Sequence, residues 1–166
     1  MPIDKVYLVG FMGAGKSTLA RRLAARLDWR AEDIDQRIEA RDGRTVSAIF
    51  AAQGEPYFRD LERRVLLDLL PLRHAVVATG GGTFADPENR RLINRDGLSV
   101  WIDVPYRRIV ERVPADGRRP LAADRASFER LFEARRAVYE QAHVRLDADD
   151  HGVDALVEQL LELLEA

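Results

Sequence analysis

Apolar residues along this chain fall into two rhythms, one continuous and one helical. Lys5-Val6-Tyr7-Leu8-Val9 is a short, nearly unbroken apolar run, as expected of a strand buried on both faces. Leu19, Leu23 and Leu27 then recur at helical spacing. Residues 75–79, 99–104 and 144–146 repeat the strand pattern. Helices are predicted around Ile38, with a stop at Asp42-Gly43, and over 45–52, 56–70, 87–95, 105–112 and 126–142. The helix over 56–70 has Pro56 near its start and Leu61, Val65, Leu66 and Leu69 as its apolar face. A last amphipathic helix begins at Val153, with Leu156, Leu160, Leu163 and Leu164 inward. Strands alternating with helices predict an α/β fold with a mainly parallel sheet and right-handed crossovers.

Between the first strand and the first helix lies Gly10-Phe11-Met12-Gly13-Ala14-Gly15-Lys16-Ser17, followed by Thr18. It fits G-x-x-x-x-G-K-[ST], the phosphate-binding P-loop. A nucleotide triphosphate needs backbone N–H donors, a point cation and a hydroxyl converging on one small volume. Glycines let the backbone approach, Lys16 reaches the β- and γ-phosphates, and Ser17 ligates Mg²⁺. The helix opening at Gly15 aims its positive end at the anion. Of the 26 Lys and Arg residues only Lys5 and Lys16 are lysine, so a lysine at this place in the motif is not a by-product of composition.

Composition adds exclusions. The chain has 166 residues and reads as one domain over 1–166. Its net charge is −2 with both signs interspersed, which gives no basic field for nucleic acid or an anionic membrane. There is no basic-then-apolar leader and no apolar run long enough to cross a bilayer. The absence of cysteine excludes disulfides, thiolate metal sites and cysteine nucleophiles. A cytoplasmic protein follows, and with no apolar stripe evident at the surface a monomer is expected.

The remaining candidate chemistry is distributed along the chain. Residues 29–35 read as a short extended segment on which Asp33 and Asp35 alternate, so that their carboxylates point to opposite sides. One would face metal and phosphates and the other a phosphoryl acceptor. Arg59 and Glu62 share a helix face and form an ion pair that fixes the guanidinium, a pairing that on an exposed helix is weak. Gly80-Gly81-Gly82 at a strand end admits a ligand close to the backbone. Residues 113–125, with Pro114, Gly117, Arg118, Arg119 and Pro120, lack periodicity and are expected to form a mobile lid whose arginine reaches the transferring phosphoryl group. His74, His143 and His151 have no metal-ligand spacing, and Trp29, Trp101, Tyr57 and Tyr139 read as packing.

Together these pieces resemble shikimate kinase nearly end to end. The resemblance rests on the P-loop, Asp33-Ile34-Asp35 leading into Ile38-Glu39, Ile49-Phe50 with Gly54-Glu55 and Phe58-Arg59-Asp60-Leu61-Glu62, Gly80-Gly81-Gly82, Arg119-Pro120-Leu121, and Arg135 with Tyr139. It implies a P-loop kinase three-layer sandwich: a central five-stranded parallel sheet flanked by helices, a substrate-binding helical region over about 33–62, and a lid. The implied reaction is ATP plus shikimate to ADP plus shikimate 3-phosphate, with Mg²⁺ as cofactor. The resemblance makes Asp35, Lys16 and Arg119 catalytic. Gly13, Ala14, Gly15, Lys16, Ser17, Thr18, Arg112 and Arg119 hold the nucleotide, and Ser17 with Asp33 holds the metal. Asp35, Arg59, Gly80, Gly81, Gly82 and Arg135 bind shikimate, with Glu62 steadying Arg59.

Three places depart from the family pattern. Ala122 ends the lid run where leucine is usual, Ala137 stands where proline usually precedes the tyrosine, and residues 147–153 lack the usual proline. Because Arg135 and Arg136 are adjacent, the carboxylate clamp is open between them. A related small-molecule P-loop kinase and a nucleotide-binding module without turnover are the alternatives, and an acceptor panel separates them.

Overall fold

Five short strands, β1 (Lys5–Val9), β2 (Arg30–Asp33), β3 (Ala75–Ala78), β4 (Leu98–Asp103) and β5 (Val144–Asp147), lie in the order β2-β3-β1-β4-β5, and every neighbouring pair is parallel. They come from a computed structural model that describes residues 2–112, 125–149 and 151–165. The sheet is thus wholly parallel. Register follows the apolar runs, with Val6 opposite both Val76 and Leu98. A central parallel strand is covered on both faces, which is why β1 and β3 are buried along their whole length. The edge strands β2 and β5 expose half of their residues and carry charge, which blunts them against pairing with another chain.

Parallel strands need crossovers, and helices supply them: α1 (Lys16–Leu27), α2 (Ile34–Asp42), α3 (Val46–Leu69), α4 (Pro87–Asp96), α5 (Tyr106–Arg112), α6 (Arg125–Tyr139) and α7 (Val153–Glu165). Most boundaries fall within a residue or two of the sequence expectation, because caps mark them. Thr45 accepts from Ala48 N at 3.1 Å to start α3, and Asp86 accepts from Glu88 N and Asn89 N to start α4. The helices expected over 45–52 and 56–70 run on as α3, broken at Gly54, whose φ of 83° and ψ of 174° turn the chain ahead of Pro56. Leu61, Val65, Leu66 and Leu69 all point into the core.

One local expectation is corrected. Residues 29–35 are not extended throughout: the chain turns helical at Ile34, because Asp33 caps α2 by accepting from Gln36 N at 3.0 Å. Asp35 therefore sits in the first turn of a helix. The two carboxylates still serve different neighbours, but helix geometry rather than strand alternation separates them.

The sheet has a polar anchor at one end and open chemistry at the other. At the end where β1 begins, Lys5 is fully buried, donates to Leu69 O at 2.5 Å and pairs with Asp96 at 2.6 Å. Tyr7 donates to the same carboxylate at 2.6 Å. Burial pulls the Lys5 ammonium below its usual pKa even against Asp96. This cluster ties the ends of α3 and α4 to the bottom of the sheet. At the opposite, carboxyl edge, β1 runs into the P-loop, β2 into Asp33, β3 into Gly80 and β4 into Asp103. Ligands of open parallel α/β sheets bind at that edge. No described helix is long and apolar enough to cross a membrane.

Candidate active site

The P-loop leaves β1 and returns as α1, with Gly15 at φ 89° where the helix opens. No side chain caps α1 and its first turn holds no acid, so its leading N–H groups face the cleft for an anion to use. Lys16 is only 7% exposed and folds back on the loop, donating to Gly10 O at 2.6 Å and Phe11 O at 2.9 Å. Ser17 donates its hydroxyl to Asp33. Gly13, Ala14 and Thr18 complete the wall of a cleft of about 460 Å³. Arg112, at the end of α5, donates to Gly13 O at 3.2 Å and so lies against the loop's outer rim.

A narrower chamber of about 60 Å³ adjoins this cleft, and Met12, Asp35, Val46, Gly80 and Gly81 border both. Its apolar wall is Val46, Phe50 and Phe58, and its polar groups are Arg59, Glu62 and Arg135. The structure thus brings Asp35, Arg59, Arg135 and the glycine triplet together from α2, α3, α6 and the turn after β3.

The glycines are there for close approach. A methyl group on Gly80 would sit 2.8 Å from Asp35 Oδ1 and 3.4 Å from Glu62 Oε2, and one on Gly82 would sit 2.5 Å from Arg59 Nη2. Gly81 offers its carbonyl instead: Arg135 Nη1 donates to it at 2.6 Å and Tyr139 Oη at 2.5 Å. Burial pushes the Tyr139 hydroxyl up to about 12, so it keeps its proton and remains a donor. Arg136 turns the other way, to Asp103 Oδ1 at 2.8 Å, with its guanidinium over the Trp101 ring. Arg145 pairs with the other oxygen of Asp103. Of the two adjacent arginines, Arg135 lines the chamber.

Arg59 donates to both oxygens of Glu62, at 3.1 and 3.2 Å, and to Glu55 at 3.1 Å. The Arg59–Glu62 pair is not a solvated helix face, because Glu62 is wholly buried. Burial pushes its carboxyl above the usual pKa, while Arg59 and a hydrogen bond from Thr83 pull it back. Two residues matter here beyond the sequence expectation. Tyr139 does more than pack, and its spacing of four from Arg135 on α6 was the available signal. Thr83, directly after the glycine triplet, gave no signal of its own. Arg119 and residues 113–124 of the expected lid lie outside the described residues.

Chemically, a phosphate cradle shares one carboxylate and one backbone turn with a small chamber that holds two guanidiniums over an apolar floor. Such a chamber suits a compact hydroxylated carboxylate placed beside a nucleotide's terminal phosphate. The histidines take no part: His74 packs edge-on to Trp29, His143 accepts from Ser99 N at 3.1 Å, and His151 is exposed.

The profile of the shikimate kinase family matches residues 12–165. A shikimate kinase of Persephonella marina is 42% identical over 157 residues, covering 94% of this chain and 96% of that protein. One from a Sulfurihydrogenibium species is 40% identical, covering 96% of each. Among solved structures, shikimate kinase from Acinetobacter baumannii in complex with shikimate superposes with a TM-score of 0.92 at 33% identity, over 98% of this chain and 93% of that one. A deoxyadenosine kinase with bound dATP, at 15% identity and a TM-score of 0.66, shares the fold alone. A near-complete family match, relatives matched over nearly their whole length and the same fold agree: the chain belongs to the shikimate kinase family.

Proposed function

We propose that the protein transfers the γ-phosphoryl group of ATP to the 3-hydroxyl of shikimate, giving ADP and shikimate 3-phosphate on the way to chorismate and the aromatic amino acids. The observation that carries this reading is the shared wall: Asp35 and the Gly80-Gly81 turn border both the phosphate cradle and the two-arginine chamber. Arg59 and Arg135 hold the shikimate carboxylate, which sets the ring so that one hydroxyl faces the nucleotide. Asp35 orients that hydroxyl and takes its proton as the oxygen bonds to the γ-phosphorus and the bond to the β-phosphate oxygen breaks, releasing ADP. Lys16 exchanges its two loop carbonyls for β- and γ-phosphate oxygens. Arg119 and Arg112 are assigned to the nucleotide, Arg119 closing on the phosphates and Arg112 lying against the adenine.

The donor set at Ser17 and Asp33 is all oxygen and small, which fits Mg²⁺. Among the described residues no cluster of three or more His, Asp or Glu offers a fuller cage, and Mg²⁺ characteristically takes one or two protein oxygens and keeps waters and phosphates. Ser17 would ligate it directly and Asp33 through water. When bound, it neutralises charge on the β- and γ-oxygens.

Purified protein with Mg-ATP is expected to release ADP only when shikimate is added, while gluconate and AMP stay silent and EDTA abolishes the signal. Turnover with another acceptor in place of shikimate would overturn the substrate assignment and keep the kinase. The chain is further read as one monomeric, cytoplasmic domain acting on its two small substrates without nucleic acid; light scattering after size exclusion checks the monomer.

Gly82→Ala tests the chamber separately. The atoms nearest the added methyl are those of the Arg59 guanidinium, 2.5 to 2.8 Å away, which must shift from its place beside Glu62. The shikimate KM is expected to rise roughly tenfold for a displaced charged hydrogen bond, with the ATP KM nearly unchanged and a fall in Tm smaller than that of removing the Arg59 side chain altogether. An unaltered shikimate KM would remove Arg59 from the clamp.

A further inference from the structure

Thr83 is fully buried just beyond the glycine triplet, and its hydroxyl stands between two groups of the chamber. Gly80 N donates to Thr83 Oγ1 at 2.9 Å, and Thr83 N donates back to Gly80 O at 3.2 Å, closing the turn. Thr83 Oγ1 also lies 2.8 Å from Glu62 Oε2. In that contact the hydroxyl donates to the carboxyl. A backbone N–H can only donate, so the hydroxyl accepts from Gly80, and its single proton is left for the carboxylate. An unbroken chain of donors thus runs from Gly80 N–H through the Thr83 hydroxyl to Glu62, where it meets the two hydrogen bonds from Arg59.

We infer that Thr83 is a positioning residue for acceptor binding: its hydroxyl holds the Glu62 carboxyl in place, and Glu62 in turn holds the Arg59 guanidinium over Gly82. This deepens the reading of the chamber as a shikimate site and rests on it. A buried carboxylate drifts toward its neutral form unless hydrogen bonds and a countercharge hold it. Glu62 has two such supports on α3 and the glycine turn, Arg59 and Thr83, with Arg135 of α6 as a third, more distant charge. Asp35 of α2 is the facing acid across Gly80. Removing the Thr83 hydroxyl strips one support from Glu62 and leaves Gly80 N–H without an acceptor, while the nucleotide cradle keeps every contact it has.

Thr83→Val keeps the shape and loses the hydroxyl, and Thr83→Ser keeps the hydroxyl. For Thr83→Val the shikimate KM is expected to rise about tenfold, as for a lost hydrogen bond to a charged group, with the ATP KM within about twofold. The acid limb of kcat/KM for shikimate should move to higher pH. Thr83→Ser should restore both values to within about threefold of the parent, since the donor is retained. A second readout needs no substrate: ¹³C titration of the Glu62 carboxyl should give a higher pKa in Thr83→Val than in the parent or in Thr83→Ser. If Thr83→Val melts too low to assay, Thr83→Ala carries the same expectations. Equal losses toward both substrates, a Thr83→Ser variant as poor as Thr83→Val, or an unmoved Glu62 titration would each overturn the inference. A parent enzyme silent with shikimate while Glu62 still titrates as expected would instead overturn the substrate reading and leave the relay standing.

Discussion

Asp35→Asn is expected to lower kcat by about 100- to 10,000-fold, the range for loss of a positioned general base. Asparagine preserves size and can still orient a hydroxyl, so what disappears is the ability to receive the proton. Asp35 belongs to the first turn of α2 and reaches across to Gly80, away from Ser17, which engages Asp33. Mg-ATP affinity should therefore stay within about twofold of the parent, because no interaction with the phosphates is removed. Steady-state ADP release together with ATP titration calorimetry separates the two quantities. A variant with near-parent kcat would mean that the hydroxyl needs no base here, as a loose phosphoryl-transfer transition state permits. Asp35 would then be an orienting group only.

Arg59→Ala should show two effects at once. The shikimate KM should rise roughly 10- to 100-fold, the worth of a charge-assisted contact to a carboxylate. Stability should also fall, because Glu62 is wholly buried and would lose its countercharge. Removing one partner of a buried pair costs on the order of 3–5 kcal/mol, and since Arg59 is partly exposed the low end applies, a drop in Tm of about 6–12 °C. Adding Glu62→Gln to Arg59→Ala should recover much of the Tm and none of the affinity, since it removes the orphaned charge and supplies no cation. Calorimetric melting of the three proteins beside their shikimate kinetics makes the comparison. Affinity returning together with stability in the double variant would show that Arg59 acts only by supporting Glu62.

Legibility in the sequence followed the range of the interaction. The P-loop, the buried strands and the capped helices are local patterns, and β1, α1, α4 and α7 lie within a residue or two of where periodicity and caps put them. Asp33 and Asp35 were legible as a pair, but their arrangement was not: Asp33 competes as a helix cap, and that capping bond ends the strand two residues early. Arg135 and Arg136 could not be told apart from type or spacing. What separates them is tertiary, since Asp103 on β4 and the Trp101 ring engage Arg136 while Gly81 receives Arg135. Burial of Glu62 was equally hidden, because a charged pair three apart on a helix looks the same in sequence whether water or Thr83 lies beside it.

The turn after β3 has a consequence for how the site tolerates change. Asp35 abuts Gly80, Arg135 and Tyr139 grip Gly81, Arg59 lies over Gly82, and Glu62 is held through Thr83. Three helices, the consecutive α2 and α3 and the much later α6, are gauged against four consecutive residues, so the turn serves as a common ruler for the acceptor groups. A length change just before α2 or just after α6 shifts one mark on that ruler. A single residue inserted between Gly80 and Thr83 would rescale all of them together, which makes this short turn less forgiving than a connection that positions one group alone.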